Sequence, residues 1–291
     1  MICRDCPRRC GAERTAETGR GFCGVGLDPV IARAALHHWE EPCISGTRGA
    51  GAVFFSGCSL RCVFCQNHDI SAGQTGERVS VRRLREIMET LVAQGAHNID
   101  LVTPTHFARA VGAALAEPLP VPVVWNSGGY DRVETLRRLE GKVQIYMPDL
   151  KYSDAALAGR LSAAADYPRR AAEALREMFR QTGPYRMGED GLLQSGLLVR
   201  HLILPGELEN TFGALDMLAE LFRPGDILVS LMSQYTPMGA GPDRRVTPEE
   251  YARAEDYMRA LGLLDGYTQS PDSADTDYIP AFDGTGVSYS Q

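Results

Sequence analysis

The hydrophobic pattern changes character near residue 50. Beyond that point, short β-branched apolar runs alternate with amphipathic stretches. The runs at 52–56 (AVFFS), 98–103 (NIDLVT), 121–126 (VPVVWN), 142–149 (KVQIYMPD), 198–204 (LVRHLIL) and 227–232 (ILVSLM) are short and bounded by Gly or Pro, which predicts strands. Between them Val81, Leu84, Ile87, Met88, Leu91 and Val92 recur at helical spacing behind Ser80, a predicted N-cap. Asp131 with Glu134 predicts another helix start, with Val133, Leu136 and Leu139 facing inward. Further helices are predicted around Ala171, Ala174, Leu175, Met178 and Phe179, and around Phe212, Leu215, Leu218 and Phe222. The stretch TPEE makes Thr247 a cap, Pro248 the first helical residue and Glu250 the return arm of a capping box, ahead of Tyr251, Ala254, Met258 and Leu261.

Strands that alternate with helices imply a parallel sheet with right-handed crossovers. The expected fold class is therefore α/β: a partial, six-strand TIM-type βα barrel behind a Cys-rich N-terminal segment. Two units are expected, a metal-binding segment at 1–50, Gly- and Cys-rich and irregular, and the barrel with its C-terminal tail at 51–291. In such barrels reactive residues gather where strands end. The polar and unusual motifs obey that rule: GCSLRC, TPTH, NSGG, MPDLK and SQYTP each follow a predicted strand.

Composition narrows the partners. Hydrophobic residues make up 44% of the chain, enough to build a core. The net charge of −7, without a block of like charge, gives no footprint for nucleic acid or an anionic membrane. No apolar run approaches the ~20 residues of a membrane span, and the opening MICRDCPRRC lacks the apolar region of a signal peptide. A cytoplasmic location is expected, where clustered cysteines bind metal more often than they form disulfides.

All eight cysteines lie within the first 65 residues. Cys58, Cys62 and Cys65 stand in the spacing C-x3-C-x2-C on one loop. A zinc knuckle would need a fourth ligand such as Cys43 or His68. The alternative is a 4Fe–4S cluster held by three thiolates, whose open iron chelates a small molecule. Cys3, Cys6, Cys10 and Cys23 supply four thiols, enough to close a tetrahedral site; zinc and an auxiliary 4Fe–4S cluster both fit that spacing. Cys43 is left over and reads as a small buried hydrophobe.

The loop GCSLRCVFCQNHDIS resembles the signature of the radical SAM superfamily, with Phe64 at its aromatic position. More narrowly, EEPCISG, LVTPTHF, MPDLKYSD, VRHLILPG, SLMSQYTP and YIPAFDGTGV resemble the pyruvate formate-lyase-activating-enzyme-like branch, in its activating-enzyme homologue subgroup. The resemblance implies a 4Fe–4S cluster on Cys58, Cys62 and Cys65 that binds S-adenosylmethionine (SAM) and cleaves it reductively to a 5′-deoxyadenosyl radical. It places Phe64 near the adenine and Asp149 and Lys151 near the SAM carboxylate. It also places Arg200 near SAM and the Met147 carbonyl at a monovalent-cation position. Asn126 and Ser127 stand where activating enzymes carry Asp-Thr. Thr103-Pro104-Thr105-His106 stands where they carry the Gly-Gly-Glu that holds the SAM amino group, so Thr103 inherits that position. The implied electron donor is a flavodoxin or ferredoxin, and one implied partner is a glycyl radical enzyme.

Blander readings stand beside these. Asp149 and Lys151 also suit a plain buried ion pair, and His106 suits a capping or core role as well as a substrate role. His201, flanked by alternating apolar residues, is expected to be structural; His37 and His38 carry no assignment. Gln234 and Tyr235 would face the barrel mouth, and the insert at 152–196 is a candidate lid. Three functions follow: a glycyl-radical-installing enzyme, a radical SAM enzyme acting on a small molecule, peptide or sugar, and a non-catalytic Fe–S or zinc protein.

Overall fold

The structure, a computed structural model, describes residues 1–72, 75–269 and 280–288. Among them the strands are β1 (Val30–His37), β2 (Ala50–Phe55), β3 (Glu77–Arg78), β4 (Ile99–Val102), β5 (Val123–Ser127), β6 (Ile145–Pro148), β7 (Arg186–Met187), β8 (Leu193–Leu202), β9 (Leu228–Met232) and β10 (Gly266–Thr268). The helices are α1 (Pro42–Ser45), α2 (His68–Ser71), α3 (Val81–Ala93), α4 (Ala108–Ala114), α5 (Val133–Leu136), α6 (Ala155–Ser162), α7 (Tyr167–Thr182), α8 (Leu208–Leu221) and α9 (Pro248–Ala260). The strands form one ten-stranded sheet in the order β10-β9-β8-β6-β5-β4-β2-β1-β3, with β7 hanging on β8. From β2 through to β10 the path is parallel throughout; β1, β3 and β7 pair antiparallel. The sheet stays open, because β3 and β10 end the path without pairing to each other.

All six predicted strands are present, each within a few residues of its expected bounds, except that β8 begins earlier, at Leu193. Every residue of β2, β4, β5, β6 and β9 is buried, as expected for parallel strands covered on both faces. The Ser80 hydroxyl accepts from the Arg83 amide, and Thr247 and Glu250 complete their capping box. One helix start differs. α5 begins at Val133 without a side-chain cap, and Asp131 is instead buried, accepting from Thr105, Trp125 and Ser127. A carboxylate with three buried donors in reach is better satisfied inside than at a helix end.

Two expectations are corrected. Residues 30–37 are not irregular: β1 runs antiparallel beside β2, from Ile31 opposite Phe55 to His37 opposite Ala50. Its alanine-rich sequence carries little strand propensity, and the pairing comes from the edge that β2 offers. The insert at 152–196 is not a lid but the crossover from β6 to β8. Its α6 and α7 bury Leu157, Leu161, Tyr167, Ala171, Leu175 and Met178 in the main core.

His201 shows how the crossovers are fastened. It is fully buried, with Nδ1 2.6 Å from the Leu150 carbonyl and Nε2 3.0 Å from the Thr211 hydroxyl. A carbonyl only accepts, so Nδ1 carries the proton and Nε2 accepts from Thr211. Burial pushes this imidazole down from 6.5 to about 4. The stability it contributes is therefore complete above pH 6.5 and is lost as the pH falls through that window toward 4. Urea unfolding of the wild type and of His201→Gln at pH 7.5 and pH 5 checks this. The stability gap between them should narrow by about 2 kcal/mol at the lower pH, and an unchanged gap would contradict the buried neutral ring.

Candidate active site

The cysteine loop leaves β2 through Gly57, whose φ of +83° is required because a Cβ there would meet the Cys23 carbonyl at 2.8 Å. It then folds back, with the Cys65 amide donating to the Cys62 carbonyl at 3.1 Å. Cys58, Cys62 and Cys65 all line one cavity of about 490 Å³ at the C-terminal ends of the strands. The Leu60 amide lies 3.3 Å from the Cys58 sulfur and the Ser162 hydroxyl 2.9 Å from the Cys62 sulfur. Burial pushes the Cys58 and Cys65 thiols up, Cys65 to about 12, and the neighbouring Cys62 adds to both shifts; Lys151 opposes them. Cys58 and Cys65 so placed resist ionisation without added positive charge, which a bound metal centre would supply. None of the eight cysteines is in a disulfide. Among the described residues no three Cys, His, Asp or Glu side chains already converge as a closed metal-binding group. The three thiols share a loop and a cavity, and thiolates are the donors by which 4Fe–4S clusters are held.

The floor of the cavity is an ion network centred on Arg200. Its Nε donates to Asp149 at 2.9 Å, Nη1 to Glu40 at 2.8 Å and Nη2 to the Asn126 side-chain oxygen at 2.8 Å. Lys151 donates to the other Asp149 oxygen at 2.6 Å. Sheet register produces this meeting: Asn126 pairs with Met147, Asp149 bridges to Arg200, and Arg200 pairs with Ser230. Burial alone would raise Asp149, but Lys151 and then Arg200 hold its carboxyl below the usual range. Beneath lies Asp100, fully buried, accepting from the Asn126 amide at 3.2 Å and leaving its Oδ1 without a hydrogen-bond partner. Burial, then Glu40, push Asp100 well up. Glu41 is also pushed up, by burial first, and its Oε2 lacks a hydrogen-bond partner although Arg200 is 3.9 Å away.

Most residues predicted for the site meet here. Phe64, Thr103, Asn126, Ser127, Asp149, Lys151 and Arg200 all line the cavity with the three cysteines. Thr103 does so with φ +60°, a left-handed conformation that is costly for a branched residue and that tends to mark functional sites. The Ser127 hydroxyl is turned to Asp131 at 2.5 Å. Gln234 reaches the cavity; the Tyr235 hydroxyl instead donates to the Pro242 carbonyl at 2.8 Å. Met147 is buried within β6. His106 does not line the cavity: its Nε2 lies 2.8 Å from the Ser56 carbonyl, and burial lowers it to about 4, so the core role is the one it fills. Glu40, Glu41 and Ser230 are cavity residues that sequence reasoning missed. The block EEPCISG held the signal for the glutamates, two carboxylates set directly before a proline.

The front cysteines stand apart from the cavity lining. Cys3, Cys6 and Cys23 are buried and Cys10 is exposed. Burial, then the nearby Cys23, Cys3 and Cys10, drive the Cys6 thiol up to about 12. Cys43 is buried in α1, as a small hydrophobe would be. In the tail block YIPAFDGTGV, Tyr278 and Ile279 lie outside the described residues.

Residues 45–166 match the family model described as a 4Fe–4S single cluster domain. That span contains Cys58, Cys62 and Cys65 and none of the other cysteines. Streptococcus suis SuiB, in its structure bound to the precursor peptide SuiA, is similar with a TM-score of 0.50 and 13% identity, covering 73% of this chain and 46% of SuiB. A radical SAM methyltransferase from Sphaerobacter thermophilus gives a TM-score of 0.46 and 19% identity over 77% of this chain and 69% of its own. Part of the chain is thus similar to a 4Fe–4S single cluster domain, and its fold is similar to that of SuiB. It spans about half the length of SuiB. It is also 27% identical over 282 residues to the uncharacterized protein MJ0674 of Methanocaldococcus jannaschii, covering 90% of this chain and 75% of that one. Among the described residues no helix is long and apolar enough to cross a membrane.

The charge floor makes asymmetric demands. Arg200→Ala would leave Glu40 without its cation and Asp149 with Lys151 alone, and should cost about 3–5 kcal/mol. Asp100→Asn replaces a carboxyl that burial already drives toward neutrality and should leave stability within about 0.5 kcal/mol or raise it. Chemical denaturation at pH 7 separates the two, and equal losses would contradict the assigned charge states.

Proposed function

We propose that this chain is a radical SAM enzyme whose cluster sits on Cys58, Cys62 and Cys65 and whose SAM occupies the cavity over Asp149, Lys151 and Arg200. The observation that carries this reading is the shared cavity: three thiols, in a stretch similar to a 4Fe–4S single cluster domain, and a pair of cations line it together. Cys58, Cys62 and Cys65 would hold the cluster beside the SAM cavity, and the two groups together would supply one-electron reductive cleavage of SAM for hydrogen abstraction. The chain's own residues position and shield. Arg200 and Lys151 offer positive charge where the SAM carboxylate would lie, and Asp149 holds both cations at fixed distances. Lys151 also lies near enough to Cys58 and Cys65 to favour their thiolate forms. Phe54, Phe64, Val102 and Leu202 give the cavity apolar walls that exclude water from a reactive intermediate. Thr103 stands where the SAM amino group would be received.

For the substrate we favour a small molecule, peptide or sugar. β4 ends in Thr103-Pro104-Thr105-His106 rather than the Gly-Gly-Glu of glycyl-radical-activating enzymes, and the chain carries an extra set of front cysteines. Activation of a glycyl radical enzyme is the second reading, supported by the blocks around Asp149 and Lys151. We assign Cys3, Cys6, Cys10 and Cys23 to zinc or an auxiliary 4Fe–4S cluster, and the electron supply to a flavodoxin or ferredoxin.

Reconstituted protein under reducing, anaerobic conditions should convert SAM to 5′-deoxyadenosine and methionine, measured by liquid chromatography. Cys62→Ala should abolish this and lose the iron counted against the wild type; full turnover in that variant would sink the cluster assignment. Asp149→Asn should weaken SAM binding about tenfold, a loss of about 1.4 kcal/mol, in equilibrium dialysis while iron content holds. Parallel loss of both would make Asp149 a purely structural residue.

A further inference from the structure

Arg8 carries the front cysteine loop to the cluster loop. Arg8, inside CPRRC, sends its Nε to the Ser59 carbonyl at 2.8 Å and its Nη2 to the Ser162 carbonyl at 2.7 Å, while Nη1 donates to the Ala163 carbonyl. Its guanidinium lies 3.8 Å from the centre of the Phe22 ring and 5.5 Å from that of Tyr130. Ser162 ends α6, and Ala163 follows in a left-handed conformation, so these carbonyls are among those the helix leaves unpaired. A cation at a helix C-terminus satisfies them and the negative end of the dipole together. Arg8 thereby staples the end of α6 to Ser59, between Cys58 and Cys62.

The staple sets the Ser162 hydroxyl, itself buried, 2.9 Å from the Cys62 sulfur and 2.7 Å from the Tyr152 hydroxyl. A cysteine that ligates iron carries no proton, so it only accepts. The proton order along the chain is then fixed: Tyr152 donates to Ser162, and Ser162 donates to the sulfur. Two hydroxyl dipoles in series polarise each other in an enclosed, low-dielectric setting.

We propose that Ser162 is a positioning residue that donates a hydrogen bond to the Cys62 thiolate and raises the reduction potential of the cluster, and that Arg8 makes the front cysteine loop part of this device. The inference rests on the cluster reading above. Hydrogen bonds to cluster sulfurs stabilise the reduced, more negative form and so raise the potential. The Ser162 bond reaches one ligand sulfur and is supported from behind by Tyr152, so its removal acts on electron uptake rather than on SAM contacts.

The test is an anaerobic redox titration of the reconstituted full-length protein, followed by electron paramagnetic resonance of the reduced cluster. Ser162→Ala should keep the iron and sulfide content of the wild type and lower the one-electron equilibrium constant about tenfold, roughly 59 mV. Tyr152→Phe should move the potential the same way by less, and Arg8→Ala should follow Ser162→Ala. An intact cluster with an unmoved potential in Ser162→Ala overturns this inference and leaves the cluster reading standing. Should Ser162→Ala not assemble, Tyr152→Phe decides: an unmoved potential there overturns it as well. Wild-type protein that takes up no iron overturns the cluster reading, and this inference with it.

Discussion

Everything at the mouth of the barrel depends on how one guanidinium compensates buried negative charge. Glu40, Glu41, Asp100 and Asp149 come from three different strands or loops, and at full ionisation they would repel one another in a site largely closed to water. Arg200 spans Glu40, Asp149 and Asn126 at once, which a lysine's single point charge could not do. With those contacts made, Asp149 stays ionised and holds Lys151, while Asp100 and Glu41 are driven toward their neutral forms. The two cations, Arg200 and Lys151, then balance the two carboxylates that stay paired with them, Asp149 and Glu40.

The same economy of charge explains the open cysteine loop. Burial holds the Cys58 and Cys65 thiols protonated, and the neighbouring Cys62 adds to both shifts against a single opposing lysine. A cluster bound there would resolve that conflict. The protein around it does three separate jobs. The sheet fixes where the loop emerges, the ion network offers anchorage, and α6 presents a hydroxyl to one sulfur. The last of these ties the β6-to-β8 crossover to chemistry, although its amphipathic pattern reads only as packing.

Much of this was legible in the chain. The six barrel strands, the Ser80 cap and the Thr247 capping box follow from local pattern, because each is decided by residues within one turn or one strand of each other. The seven residues suggested for SAM line the cavity with the three cysteines, since a motif at the end of one parallel strand must neighbour the motif ending the next. β1 was not legible: its alanines signal nothing until β2 presents an edge. Asp131 looked like a helix start until three donors from β5 and the loop after β4 claimed it.

By itself, then, the sequence determined the spacing of the thiols, the alternation that makes a parallel sheet, and the set of polar residues at the strand ends. These are short-range properties, written in neighbouring residues. Tertiary structure alone decided that Glu40 and Asp100 join Arg200, that His106 is packed away from the cavity, and that Arg8 and Ser162 converge on the cluster loop from 51 and 100 residues' distance in the chain. Such meetings depend on which strand lies beside which and on how far a crossover carries the chain. Neither is encoded in any local pattern, because the energy that fixes them is shared across the whole core.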